Sequence, residues 1–171
     1  MQPLMLVLRF FHIVSGILWV GGVATTVVFI VPAIRGAGPA GVGVMRYLLL
    51  NTKFGGYFPA LGGVTVLTGL WMFWHDGRVS NGIFYSSDQG ITLSIGGLAG
   101  IVAIVIGGAV IGRSFGEMAK IFAAIDAAGG QPTTEQSARM TVLRGKIAGG
   151  SRIVLPALLI AATAMAIARY V

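Results

Sequence analysis

The sequence predicts an all-α protein, a polytopic membrane bundle of four antiparallel transmembrane helices whose third and fourth helices extend into the cytoplasm. Three observations predict it. Of 171 residues, 56% are hydrophobic and only 10% charged, with a mean hydropathy of +0.88, whereas soluble domains carry about 25% charged residues. Four apolar runs separate cleanly, at about 4–31, 54–74, 90–112 and 153–168, and each must be helical because an open strand in lipid leaves its backbone groups unpaired. The basic residues gather in alternate connections, as topology requires. A single domain over 1–171 follows.

The first run opens with Arg9, Phe10, Phe11, His12, Ile13, Val14, Ser15 and Gly16 and continues to Val31. At about 1.5 Å per residue it is long enough for a hydrocarbon layer of about 30 Å. It is too long for a signal-peptide core, and its only early charge is Arg9, so it reads as a retained span. The connection 32–53 is rich in Gly and Pro, carries Arg35, Arg46 and Lys53 with no acid, and reads as a loop. The second run follows, and its connection sets Arg78 against Asp76 and Asp88.

The third run leads into 113–152, which is not a plain loop. Met118, Ile121, Phe122 and Ile125 share one side of an amphipathic helix, Gly129, Gly130 and Pro132 break it, and Thr133 or Thr134 caps a helix entering the fourth run. An amphipathic hairpin past the bilayer is expected, with a bend at Pro156. Nine basic residues lie in the first and third connections and three, Arg9, Arg78 and Arg169, on the other side. The positive-inside rule then places the chain in the cell (inner) membrane with both termini outside the cytoplasm.

The formal charge of +7 is therefore a topology signal; no basic patch with interleaved aromatics suggests nucleic acid. No cysteine is present, which removes disulfides, thiolate metal sites and covalent haem attachment. All five acids lie outside the spans, so a carboxylate proton relay through the bilayer is not expected. The glycine doublets have no fixed period and mark no repeat. Gly96 to Gly100 and Gly108 to Gly112 have small-xxx-small spacing, which suits helix packing or a homo-oligomer.

Chemistry is expected at the histidines. His12, Ser15, Trp19, Gly22 and Thr26 follow one another at spacings of three and four, a polar and small seam on an aliphatic rod. An imidazole at that depth needs a partner and is a functional-site hypothesis. His75 closes the second run, which is antiparallel to the first, so both rings reach the same side. His12 and His75 lie about six and about eleven residues outward of their span midpoints, a mismatch of roughly 7 Å.

Two neutral imidazoles on adjacent helices are the arrangement that holds haem b, with His12 and His75 as axial ligands. Met72, one turn inward of His75, is the alternative ligand. Trp19 and Trp71 would wall the porphyrin, Ser15 and Gly16 would line it, and Arg9 and Arg78 would meet propionates.

Phe11, His12, Ile13, Ser15, Trp19, Gly21 and Gly22 resemble the first helix of the CopD-like and HemJ-like group of small membrane proteins. Thr68, Gly69 and Leu70, with Ser151, Arg152 and Ile153, are similar to later segments of that group. The resemblance implies a histidine-containing bundle associated with haem or, in the copper-resistance branch, with copper; His12 matches its first-helix histidine. The protoporphyrinogen-oxidising branch uses a lysine near the start of helix three, where this chain reads Gln89 to Ser94 without one.

The expected function is thus a haem b-binding, cytochrome-like membrane protein for electron transfer or haem handling, working with a redox partner protein. Copper handling is the alternative, with Met5, His12, Met72 and His75 as ligands, followed by tetrapyrrole oxidation and a purely structural subunit.

Overall fold

The computed structural model describes residues 3–171, which form five helices and, among the described residues, no strand. α1 (Pro3–Gly36), α3 (Phe54–Val79), α4 (Asp88–Ala127) and α5 (Thr134–Ile167) are long and apolar enough to cross a membrane, and α2 (Gly38–Asn51) joins α1 to α3. α1 and α4 each contain a π-helical turn, at Thr26–Ile30 and Gly107–Gly112. Side chains such as Phe10, Ile17, Leu67 and Leu98 cover the outside of the bundle, a surface suited to acyl chains.

The helix ends follow local chemistry. Ser87 accepts from the Gly90 amide (3.1 Å) at the start of α4. At the start of α5 the Thr133 hydroxyl accepts from the Gln136 amide (3.1 Å), while the Gln136 side chain accepts from the Thr133 amide (2.8 Å), a reciprocal capping box. Gly129 and Gly130, at φ of +93° and +89°, make the break between α4 and α5. α5 runs as one helix through Pro156, which neighbouring helices in a membrane bundle tolerate.

The connection 32–53 departs from the loop expected of it. α1 continues through Pro32 to Gly36, and α2 fills nearly all the rest. Pro39 stands in the first turn of α2, where a missing amide proton leaves no helical bond unmade, and Pro32 follows directly on the π-helical turn of α1. Gly41 is required: a Cβ there would lie against the carbonyl of Ile34, so only glycine lets α2 fold back onto the end of α1.

α1 packs chiefly on α3, and α4 on α5. The first pair is antiparallel in a constant register, with His12 at Gly69, Gly16 at Thr65, Trp19 at Gly62 and Gly22 at Phe58. A mid-bundle core joins Trp19 to Ala103, Val154, Ala157 and Leu158. A second core, Phe115, Met118, Phe122, Ile125, Met140, Leu143 and Ile147, ties the far ends of α4 and α5 together, with Met45, Leu49 and Leu50 of α2 against it. With 40 residues, α4 is about 60 Å long, about twice a hydrocarbon layer. The α4–α5 hairpin therefore projects past the bilayer at the end opposite the termini, called here the basic end.

Arg139 grips Glu117 across this hairpin through two hydrogen bonds (2.5 and 2.9 Å). That bond holds the Glu117 carboxyl below the usual carboxylate range. Arg46 of α2 pairs with Asp126 of α4.

Gly96 serves contact within the chain: a Cβ on it would meet the Ala164 Cβ at 2.8 Å and the Ala161 carbonyl at 3.3 Å. Gly96→Leu is therefore expected to force α4 off α5 and lower stability by about 1–3 kcal/mol. Thermal unfolding in detergent checks it, with Gly97→Leu, where a Cβ meets nothing within 4 Å, as the mild comparison.

Candidate functional site

The α1–α3 seam is polar where most of the bundle is aliphatic. Ser15 and Thr65 are both buried, and their hydroxyls meet at 2.8 Å. Ser15 donates to the carbonyl of Phe11 (2.5 Å) and Thr65 to the carbonyl of Leu61 (2.8 Å), so no buried side-chain polar atom here lacks a partner. Trp19 is 5% exposed and Thr26 is also buried. The face that carries His12, Ser15, Trp19, Gly22 and Thr26 is the face turned into the protein.

His12 stands one turn from Ser15 and is half-buried. Its Nδ1 lies 2.7 Å from the carbonyl oxygen of Thr65. The ring reaches that oxygen because Thr65 lies one turn before Gly69, whose missing side chain gives the imidazole its room; a Cβ on Gly69 would approach the ring Cε1 to 2.7 Å. The Thr68 hydroxyl, 3.3 Å from Nδ1, closes that side while donating to the carbonyl of Val64 (2.6 Å).

A carbonyl only accepts, so the proton of the neutral ring sits on Nδ1 and Nε2 carries a lone pair. Nε2 points at Sδ of Met165, 3.3 Å away on α5. A thioether has no proton to give. Nitrogen and sulfur stand at van der Waals range in the last turn of α5, where the negative end of the helix dipole favours a cation.

The other expected site residues lie elsewhere. His75 is six residues beyond Gly69, about 9 Å further along α3 and turned by about 240°; its Nδ1 approaches its neighbour Asp76 at 3.4 Å. Trp71 and Trp74 are about half exposed with ring centroids 5.4 Å apart, and the Arg78 guanidinium lies 5.3 Å from the Trp74 ring centre. This is the pattern of an aromatic belt at a membrane interface. Arg9 is exposed and Met72 half-buried. Trp19 packs beside Gly62 and Ile104 inside the core, where a Gly62 Cβ would stand 3.0 Å from its indole.

The residues present thus do not fit a haem held between His12 and His75. His75 lies about 9 Å along α3 from the residue that faces His12 and about 240° round the helix from it, and the indole expected to wall a porphyrin is packed against glycine and isoleucine. They do fit a soft cation at His12 and Met165, whose donors are an imidazole nitrogen and a thioether. Among the described residues no three His, Cys, Asp or Glu side chains gather into a metal-binding group, so a harder ion finds no carboxylate cage here.

Thr65, Gly69 and Met165 were not singled out from the sequence as site residues. Thr68 and Gly69 stood in a run resembling the CopD-like group, and Met165 is the one thioether in the alanine-rich close of α5. No protein-family model, curated protein or solved structure matches the chain.

Proposed function

We propose that this protein is a copper(I)-handling integral membrane protein, with His12 and Met165 as its metal ligands. One observation carries the reading: Nε2 of His12 and Sδ of Met165, an imidazole nitrogen and a thioether, stand 3.3 Å apart. Imidazole and thioether are donors that select copper(I) over magnesium or calcium. The resemblance of the first helix to the CopD-like group supports the same chemistry.

In this role the chain's own groups divide the work. The Thr65 carbonyl fixes the tautomer and aim of His12, as outer-shell partners of metal-binding imidazoles do. Gly69 leaves space for the ring.

Titration of the detergent-purified protein with a chromophoric copper(I) chelator under reducing conditions tests this. One copper(I) per chain is expected. His12→Ala and Met165→Leu should each weaken binding by about 100-fold or more, beyond the range typical of outer-shell changes, while His75→Ala stays near wild type. Equal affinity in all three variants, or a haem Soret band in the isolated protein that His75→Ala alters, would overturn the assignment.

A further inference from the structure

At the basic end, the close of α1, the start of α2 and the projecting parts of α4 and α5 enclose a cavity of about 240 Å³. Its wall is largely apolar, with Ile34, Val42, Met45 and Met118 on it, and its charged lining groups are Arg35 and Arg144. Among the described residues neither guanidinium has a carboxylate within ion-pair distance. Two acids of the adjoining helix α4 are already taken, Asp126 by Arg46 and Glu117 by Arg139.

Depth in the bilayer narrows the occupant. Arg9 and Arg35 lie on one helix, 26 residues apart in the sequence, about 39 Å along its axis. A bilayer with its headgroups measures about 40–45 Å, so Arg9 at one headgroup layer places Arg35 in the other. Two cations then stand at the level of lipid phosphates, with an apolar chamber beside them. A free anion has no use for that chamber, and a neutral acyl chain has none for the arginines.

We propose that this cavity binds an anionic phospholipid of the adjoining leaflet, its phosphate between Arg35 and Arg144 and the start of an acyl chain against Ile34, Val42 and Met118. The proposal is independent of the copper site at the other end of α1. Bound lipid would cement α2 to the α4–α5 hairpin, because α2, α4 and α5 all line the chamber.

The experiment is native mass spectrometry of the full chain in detergent, titrated separately with phosphatidylglycerol, phosphatidylcholine and inorganic phosphate. Wild type should retain one phosphatidylglycerol and no phosphatidylcholine. R35Q/R144Q should bind it about tenfold more weakly or worse, as should Val42→Trp, which fills the chamber. K53Q/K120Q loses the same charge away from the lining and should behave as wild type. Equal weakening in both charge-neutralised proteins would mean diffuse attraction and overturn the site. So would equal retention of phosphatidylcholine, or displacement of the lipid by inorganic phosphate at matched concentration.

Discussion

Trp19→Ala is expected to destabilise the bundle by about 3–5 kcal/mol, the range for emptying a core of an aromatic ring. The indole is 5% exposed and sits where α1, α3, α4 and α5 meet, against Gly62, Ile104 and a core of Ala103, Val154, Ala157 and Leu158. These neighbours are small or already seated, so little of the vacated volume can close. Trp71→Ala, removing a ring about half exposed at the end of α3, should change stability by about 0.5 kcal/mol or less. Unfolding in detergent followed by circular dichroism separates the two. Equal losses would mean that Trp19 is not the keystone of the helix junction.

The same ring shows how far the sequence was legible. Spacings of three and four from His12 to Thr26 define one helical face, and a membrane helix must turn its few polar groups inward, so the buried face could be read before any fold was known. The four crossings were equally plain, because lipid permits no other backbone. Hydropathy, however, stops at the first charge. The third crossing accordingly reads as ending at Gly112, and the amphipathic stripe beyond it carries the helix on: α4 continues through Arg113 to Ala127, as an extended third helix requires, with Phe115, Met118, Phe122 and Ile125 against α5 and α2. α2 itself was hidden because glycine and proline signal a loop locally, while Gly41 is there for close contact with Ile34.

The site divides the same way. His12 announces itself by its cost in lipid. Its partners do not: one is a main-chain carbonyl, one an absent side chain, and one a methionine 153 positions away. A second histidine was the natural guess, since only side-chain identity is visible in sequence. Depth and helical phase, which decide whether two rings can meet, depend on a register that the contacts at Gly16, Gly22 and Gly62 set.

Gly69→Ala puts that register to the sharpest use. The added methyl would lie 2.7 Å from Cε1 and 3.1 Å from Nδ1 of His12, so the imidazole has to swing away from the Thr65 carbonyl and from Met165. Copper(I) affinity should fall by about 10–100-fold, as when an outer-shell partner of a metal-binding histidine is lost. Helix α3 gains up to about 1 kcal/mol of intrinsic propensity from glycine to alanine, which offsets the roughly 1 kcal/mol of the lost His12–Thr65 hydrogen bond, so the unfolding temperature should change little. Loss of metal without loss of fold is what a positioning residue produces, whereas a histidine that merely packs would surrender stability when displaced. Chelator competition and thermal unfolding on the same sample check both halves. Unchanged copper(I) affinity would show that the space beside Gly69 has no part in aiming the ring.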